Sequence, residues 1–423
     1  MELIIENIRS FSGRHAIPIK PLTLLTGENS SGKSTLLAAL SIISDPYGSP
    51  LHPRFNEPPY ALGNYESIAT FDEGNSTYAP SFALGYKQSE NQGIESITTY
   101  INNQGWVRIS SIAAKNNKSE GELKFLWKPT EMDVDIRVMS EGNVYGPVLI
   151  PFGPEGQSDR SVNFSIFIAV TLLAHTIGSL NSTGKNLDMP IQEVSSLFSQ
   201  RQQNALSIAP IRTKPRRTYD EVTQEFAPEG GHIPFVLANV LDNPVLRTTI
   251  ERFGSESGLY TKLDVKKLGE QLSDPTQVMV TSSNRAINLI NVGYGVSQIL
   301  PVVVESILAK PQTLLLVQQP EVHLHPRAQA ALGSFFVDLT ANGSKQFVVE
   351  THSDYIIDRV RTEVARGIIP AEDVGILYLE KHGFETTVYS LELSDTGDIL
   401  NAPPSYRAFF LEEELNLFNR AER

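Results

Sequence analysis

Short apolar runs separated by polar or turn residues open the chain. The segments "ELIIENIRSF" and "PLTLLTGENSS" each hold one such run, and they predict two strands near the N-terminus. The stretch after Gly32, "KSTLLAALSII", has its apolar residues at helical spacing and predicts a helix. The pattern therefore predicts a strand, a glycine-containing loop and a helix, in that order.

The hydrophobic pattern changes twice further along the chain. From Pro46 to Trp127, alternating runs such as "SITTYINNQGWVRIS" predict an antiparallel sheet. From Val162 to Leu272 the periodicity is mostly helical, with an interruption at the loop "APIRTKPRRTYD". From Val278 onward strands such as "TLLLVQQ" and "KQFVVETHS" alternate with helices. We predict an α/β fold with a mixed sheet, an antiparallel β subdomain and a helical insertion.

This order is what a single core interrupted by an insertion would produce. We predict one composite domain over residues 1–423. Its N-terminal lobe spans 1–127, a mostly helical insertion spans 128–277, and a C-terminal lobe spans 278–423.

Composition and charge exclude several classes of protein. The chain has 35 basic and 48 acidic residues, a net charge of −13, which disfavours uniform binding to nucleic acid or to an anionic membrane. It has no cysteine and therefore no disulfide framework and no thiolate metal site. The apolar run Phe164–Leu180 contains His175 and several hydroxyls, so we predict a buried helix rather than a membrane span. Without a basic leader at the start, we expect a cytoplasmic protein.

A phosphate-binding motif lies between the second predicted strand and the first helix. Gly27 is followed after four residues by Gly32, Lys33 and Ser34, the spacing of a phosphate loop. Glycines let successive backbone N–H groups turn inward and form an anion nest that a helix N-terminus closes. Lys33 would reach the β- and γ-phosphates, and the Ser34 hydroxyl would bind Mg²⁺. The predicted nucleotide-binding residues are Gly27, Asn29, Ser30, Ser31, Gly32, Lys33, Ser34 and Thr35.

A second candidate phosphate receptor lies in the C-terminal lobe. In "INVGYGVSQILPVVVESIL" a glycine-containing loop precedes an amphipathic helix with Ser297 and Gln298 at its start. An ordinary turn with a serine N-cap would give the same pattern. A second receptor makes sense if it closes over a phosphate that another protomer holds. The residues assigned to it are Gly293, Gly295, Ser297 and Gln298.

Four segments in order give the sequence a family resemblance. The segments "IENIRSF", "LTGENSSGKSTLL", "PEVHLHP" and "ETHSD" resemble those of ABC-like ATPases of the RecF, SMC and OLD (overcoming lysogenization defect) kind. The resemblance implies an ABC-type P-loop ATPase head that binds ATP and Mg²⁺ and sandwiches ATP in a homodimer or higher oligomer. It implies that Gly293, Gly295, Ser297 and Gln298 act in trans as a signature loop. It also implies that His352 is the switch histidine near the γ-phosphate.

The sequence departs from the family pattern at the two residues expected to support metal binding and hydrolysis, at the end of "LLLVQQ". In the family the residue at Gln318 is usually acidic and supports magnesium, and the residue at Gln319 is often a glutamate that polarises the attacking water. Amides accept no proton at neutral pH and bind hard cations more weakly. Three interpretations stay open: slow hydrolysis with Glu321 or Glu350 partly substituting through a water, a nucleotide-gated switch, or an engineered Glu→Gln change. We predict ATP binding with slow hydrolysis, with Gln318, Gln319, Glu321 and His352 as the catalytic set, and Ser34 and Gln318 at the metal.

The C-terminal lobe gives an expectation about what ATP binding controls. The stretch after His352 is too short for the nuclease module that OLD-type proteins often carry, so we expect any effector to be a separate chain. This resembles the ATPase subunits of bacterial anti-phage systems. The alternative is a RecF/SMC-like ATPase in DNA repair or maintenance. Its DNA contact would be the basic loop, with Arg212, Lys214, Arg216 and Arg217.

Overall fold

The computed structural model describes most of the chain, in two compact units. The described residues are 1–44, 54–88, 93–128, 132–140, 143–152, 197, 204–220, 225–270, 274–282, 285–343 and 345–408. The first unit comprises Met1–Pro18, Thr35–Ala205 and Phe384–Thr386. The second comprises Ile19–Ser34, Leu206–Gly383 and Thr387–Arg423. The predicted insertion helix Phe164–Leu180 lies outside the described residues.

The first unit is built around an eight-stranded antiparallel sheet. Numbered in chain order, its strands are β1 (Glu2–Ile8), β2 (Phe11–Pro18), β6 (Ser81–Gln88), β7 (Ile94–Asn103), β8 (Trp106–Lys115), β9 (Ser119–Trp127), β10 (Met132–Ser140) and β11 (Asn143–Phe152). Their spatial order is β11-β10-β9-β8-β7-β6-β1-β2. Alternation of side chains produces one buried face, as Leu123 and Phe125 are buried on either side of the partly exposed Lys124. Two short strands, β4 (Phe71–Asp72) and β5 (Thr77–Tyr78), and a one-turn helix, α2 (Tyr65–Ile68), complete the unit.

The second unit holds a six-stranded sheet whose central strands are parallel. Its strands are β3 (Leu22–Gly27), β12 (Ala205–Ile208), β16 (Thr313–Gln318), β17 (Lys345–Glu350), β18 (Val374–His382) and β19 (Glu385–Leu391), in the order β12-β16-β17-β3-β18-β19. Strand β17 pairs in parallel with both β16 and β3, and β18 pairs in parallel with β3. Every residue of β16 is buried, as expected for a parallel strand that is covered on both faces.

Helices and a small sheet enclose this second sheet. The helices are α3 (Ile233–Asp242), α4 (Pro244–Ser257), α5 (Tyr294–Leu308), α6 (Pro326–Ala341) and α7 (Asp354–Ala365), and the small antiparallel sheet contains β13 (Lys262–Lys267), β14 (Thr276–Ser282) and β15 (Arg285–Asn288). One hydrophobic cluster joins strand residues such as Leu315 and Phe347 to helix residues such as Ile299 and Phe336. The helix α1 (Lys33–Ile43) begins directly after β3 and its loop.

The α/β class and the antiparallel sheet are confirmed, whereas the boundaries differ from those predicted. The antiparallel sheet continues beyond Trp127 to Phe152, because "MDVDIRVMS" alternates polar and apolar residues as a strand does. The range 128–277 therefore holds the strands β10 to β13 beside the helices α3 and α4. None of the helices in the described ranges is long and apolar enough to span a membrane.

Candidate nucleotide site

The carboxyl ends of three parallel strands meet at one edge of the six-stranded sheet. Strand β3 ends at Gly27, β16 at Gln318 and β17 at Glu350. The register places Gln318 opposite Glu350, and Glu350 opposite Leu25. Ligands of α/β sheets bind at such an edge. The structure therefore brings the predicted phosphate loop and the first of the two glutamines together at one edge of the sheet.

The phosphate loop has the backbone that its glycines allow. Gly27 and Gly32 have φ values of 135° and 95°, and Ser30 between them has a φ of 60°. A side chain at Gly27 would collide with the carbonyl oxygen of Leu379 on β18, so only glycine fits there. Successive turns of this kind aim backbone N–H groups at one point, which is the geometry of an anion nest.

The remaining loop residues differ in exposure. Asn29 and Ser30 are exposed at the tip of the loop, whereas Ser31 is buried. Thr35 is buried on α1, and its hydroxyl accepts a hydrogen bond from the Arg9 Nη1 at 3.4 Å. The sequence analysis missed Arg9, since nothing in "IENIRSF" shows that its side chain reaches the start of this helix.

Lys33 is held over its own loop. Its Nζ donates to the carbonyl oxygens of Gly27 at 3.0 Å and Glu28 at 2.6 Å, and the side chain is only 4% exposed. Burial lowers the pKa of Lys33, and the negative charges of Glu350 and Glu28 oppose this shift. A cation already close to the loop amides is placed to receive the phosphates of a nucleotide.

Ser34, Gln318 and Glu350 form a cluster of oxygen-bearing side chains beside Lys33. The Ser34 hydroxyl lies 3.1 Å and 2.9 Å from the two carboxylate oxygens of Glu350. The Gln318 Nε2 donates to Glu350 Oε2 at 3.3 Å, while the buried Gln318 Oε1 has no hydrogen-bond partner. A hydroxyl, a carboxylate and an unpaired amide oxygen are the hard ligands that Mg²⁺ prefers. These residues fit a magnesium ion, and the carboxylate comes from β17 and not from β16.

Gln319 occupies a strained position next to this cluster. It has a φ of 41°, in the left-handed region that non-glycine residues rarely adopt, and its N–H donates to the Glu350 carbonyl oxygen at 2.8 Å. The backbone conformation is thus fixed by the neighbouring strand. An amide in this place orients a water molecule through hydrogen bonds but does not take its proton.

Glu321 and His352, the other two predicted catalytic residues, are joined by a hydrogen bond. The His352 backbone N–H donates to Glu321 Oε1 at 2.7 Å, and the buried Glu321 Oε2 has no partner. Burial raises the pKa of Glu321, and its hydrogen bonds with His352 and the charge of Arg212 oppose the rise. Burial and then the charge of Lys33 lower the pKa of His352, against the effect of Glu350. Glu321 therefore holds the segment that carries His352, and the surroundings of the imidazole favour its neutral form.

Arg212 corrects the predicted DNA contact. Its side chain is only 2% exposed, and its Nη2 donates to the carbonyl oxygens of Gln318 at 2.8 Å and Gln319 at 3.4 Å. A buried guanidinium is not available to DNA phosphates. The neighbouring Lys214, Arg216 and Arg217 are exposed, so three of the four predicted cations lie at the surface. The sequence gives no signal that separates the buried arginine from the exposed ones.

The second phosphate receptor is placed differently from the first. Gly293 and Tyr294 are exposed at the start of α5, whereas Ser297 and Gln298 are buried. The Ser297 hydroxyl donates to the Tyr294 carbonyl oxygen at 2.8 Å within the first turn of the helix. Gly295 packs 2.7 Å from the His323 carbonyl oxygen, measured from the position a Cβ would take. In this chain the hydroxyl of Ser297 is bonded inside its own helix.

Glu350 is the main site residue whose role the sequence analysis missed. Its place directly before "THSD" at the end of an apolar strand was the available signal, but its contact with Ser34 depends on the pairing of β16 with β17. In the described part of the chain no group of three or more His, Cys, Asp or Glu side chains could hold a metal. A magnesium site here would accordingly use a single carboxylate with neutral oxygens.

Comparisons with known proteins agree with a nucleotide site. Two family models match: an AAA ATPase domain over residues 167–357 and an AAA domain over residues 2–137. No curated protein matches this sequence. The matches support ATP binding and ATPase activity, and to that extent the resemblance to ABC-like ATPases of the RecF and SMC kind; the OLD-type part and an anti-phage role stay predictions.

Two solved structures are similar to the chain at low sequence identity. One is the SMC head domain from Thermotoga maritima, with 10% identity and a TM-score of 0.41, covering 93% of this chain and 98% of that one. Another is an Smc head domain with an extended coiled coil, bound to the C-terminal domain of ScpA derived from Pyrococcus furiosus. It has 11% identity and a TM-score of 0.40, and covers 100% of this chain and 99% of that one.

Proposed function

We propose that this chain binds Mg-ATP at Gly27–Thr35 and hydrolyses it slowly, with Glu350 as the carboxylate that faces the metal. The observation that carries the proposal is the contact of the Ser34 hydroxyl with both carboxylate oxygens of Glu350. The unpaired Oε1 of Gln318 beside it supports the same role. Magnesium is commonly bound by one or two carboxylates, with substrate phosphates and water completing its ligands.

In this proposal, different residues of the site bind the phosphates and the magnesium ion. The loop amides and Lys33 hold the phosphates, and Ser34, Glu350 and Gln318 Oε1 hold the magnesium ion. When bound, the metal neutralises charge on the β- and γ-phosphates. Lys33 leaves its two backbone carbonyl partners for the phosphates, which exchanges neutral acceptors for charged ones and favours binding.

Hydrolysis is slow because the residue next to the metal site is an amide. General-base assistance contributes roughly 10²- to 10⁴-fold, and Gln319 does not supply it. Glu321 is a weak substitute, since one of its oxygens already holds the His352 backbone N–H. A long-lived ATP complex favours an output that depends on the bound state rather than on turnover.

That bound state would be a homodimer or higher oligomer that controls a separate effector. In this part of the proposal, the exposed Gly293 and Tyr294 at the start of α5 would meet the γ-phosphate held by the partner. Ser297 would join them only after its hydroxyl leaves the Tyr294 carbonyl oxygen. An effector role in bacterial anti-phage defence rests on the family resemblance of the four sequence segments.

Action on DNA is the second candidate function, and one observation favours it. Lys214, Arg216 and Arg217 are exposed together on one loop, so their charges are free to meet phosphates. The test is DNA binding at several salt concentrations for the wild type and for Arg216→Ala/Arg217→Ala. Binding that weakens steeply with salt and is lost in the variant would support this function.

The primary experiment measures Mg-ATP affinity and single-turnover phosphate release. Lys33→Ala should lose most of the affinity, because it removes the cation that the phosphates contact. Lys310→Ala, an exposed lysine of the same unit, is the matched control and should behave as the wild type. Unchanged affinity in Lys33→Ala, or fast phosphate release by the wild type, would contradict the proposal.

A further inference from the structure

Arg212 is a buried cation at the carboxyl end of β16. Its Nη2 bridges the carbonyl oxygens of Gln318 and Gln319, at 2.8 Å and 3.4 Å. These are the two residues that stand where the chemistry of hydrolysis takes place. Hydrogen bonds to a charged donor are the stronger kind, so the guanidinium fixes the peptide groups that set the direction of both glutamine side chains.

The loop that carries Arg212 is itself held in place. The Thr213 N–H donates to the Glu229 carbonyl oxygen at 2.8 Å, and the Arg216 N–H donates to the Tyr219 hydroxyl at 3.1 Å. The Asn288 Nδ2 donates to the Arg217 carbonyl oxygen at 3.0 Å. A loop braced at three points delivers the guanidinium to β16 in one position.

The charge of Arg212 also acts on the pKa of Glu321. Burial lowers the pKa of Arg212 to about 10, and the charge of Glu321 opposes this shift. The two groups form no direct ion pair, and the Nε and Nη1 of Arg212 and the Oε2 of Glu321 are buried without hydrogen-bond partners. The charges of these two groups therefore partly offset each other.

We infer that Arg212 is a positioning residue for ATP hydrolysis, because its guanidinium fixes the peptide groups of Gln318 and Gln319. The inference rests on the proposed function, since it presupposes that ATP is hydrolysed at this edge of the sheet. Arg212 lies on no element of the phosphate loop and makes no contact with Lys33 or Ser34 among the hydrogen bonds of the described residues. It should consequently change the rate much more than the affinity for Mg-ATP, to which Gln318 contributes one neutral oxygen while Lys33, Ser34 and Glu350 carry most of the binding.

The experiment compares Arg212→Ala and Arg212→Lys with Arg285→Ala, an exposed arginine of the same unit. Misplacing a reacting group by a small distance costs on the order of 10²-fold in rate. We expect Arg212→Ala to lower single-turnover kcat by about 10- to 100-fold while the Kd for Mg-ATP changes by less than about threefold. Guanidinium ion at low millimolar concentration should restore part of the rate in Arg212→Ala. It should not accelerate the wild type or Arg285→Ala.

Each outcome decides the inference. A wild-type rate in both Arg212 variants would overturn it. A parallel loss of rate and ATP affinity, without rescue by guanidinium, would also overturn it, because a merely structural residue behaves in that way. If Arg212→Ala does not fold, the ratio of kcat to Kd in Arg212→Lys decides between the same two results. Lys33→Ala, run in parallel, distinguishes failure of the proposed function from failure of this inference. Wild-type ATP affinity in Lys33→Ala would overturn both. Lost affinity in Lys33→Ala together with wild-type rates in the Arg212 variants would overturn this inference alone.

Discussion

Strands β16 and β17 lie side by side with Gln318 opposite Glu350, yet β16 ends in an amide, with a second amide at Gln319 directly after it, and β17 ends in a carboxylate. The carboxylate of Glu350, and not a residue of β16, receives the Ser34 hydroxyl. At the edge of a parallel sheet, neighbouring strand ends are about 5 Å apart, so either strand can supply a side chain to the same ion. The comparison shows that the proposed metal ligand and the general base need not come from the same strand end: the carboxylate of Glu350 lies at the end of β17, whereas the residue directly after β16, Gln319, accepts no proton.

Placing a carboxylate at position 319, directly after β16, should have the largest effect on the rate of hydrolysis. Gln319→Glu keeps the size of the side chain and adds a group that accepts a proton, so single-turnover hydrolysis should accelerate by about 10²-fold or more. The matched control is Gln312→Glu, at an exposed position ahead of β16 that also has a positive φ, of 62°. An unchanged rate in Gln319→Glu would show that the amide is not what limits hydrolysis.

The sequence analysis predicted those features that depend on the spacing of residues within a short segment. The phosphate loop follows from the spacing of Gly27, Gly32 and Lys33, and its left-handed glycines are observed. The antiparallel sheet was also predicted, although its last two strands, β10 and β11, fell within the segment assigned to helices.

The contacts that sequence reasoning missed are those between distant segments. Glu350 lies 316 residues from Ser34, and their contact depends on the register of three strands. Arg212 lies in a run of basic residues that all suit a solvated loop, and only its packing against β16 distinguishes it. Ser297 is at the predicted helix start, but the direction of its hydroxyl is set by the helix turn that it joins.

Placing a second carboxylate opposite Glu350 should have a moderate effect on stability. Gln318→Glu replaces the donor that contacts Glu350 Oε2 at 3.3 Å with a like charge, and both positions are buried. Without divalent cations we expect a loss of about 1–3 kcal/mol in the free energy of unfolding, and Mg²⁺ should reverse it. Thermal unfolding in EDTA and in Mg²⁺ measures both. A variant equally stable with and without Mg²⁺ would argue against a metal between these strand ends.

The smallest predicted effect concerns His352, next to Glu350 in the chain. Its pKa is lowered by burial and by the charge of Lys33, so the folded state favours the neutral imidazole. The sign follows from linkage: this contribution to stability is fully present above the unfolded value of about 6.5 and is lost as pH falls through the lower folded pKa. Proton NMR titration, with the His352 signal identified from its absence in His352→Gln, should give a pKa below 6.5.

Lys33→Ala provides the control for this titration, because it removes the second cause of the shift. The pKa of His352 should rise towards its ordinary value while remaining below it, since burial is the larger cause. A His352 pKa at or above 6.5 in the wild type would contradict the environment described for this end of β17.

The end of β17, and not that of β16, is proposed to supply the carboxylate for the metal. Moving this carboxylate from position 350 to position 318 tests that assignment. The measurement is the Mg²⁺ dependence of ATP affinity in the wild type, in Glu350→Gln and in Gln318→Glu/Glu350→Gln, with the exposed Glu372→Gln as control. Losing a charged ligand should weaken Mg²⁺-dependent ATP affinity about 10- to 100-fold in Glu350→Gln, and the double variant should regain much of it. Identical Mg²⁺ dependence in the wild type and Glu350→Gln would contradict the account.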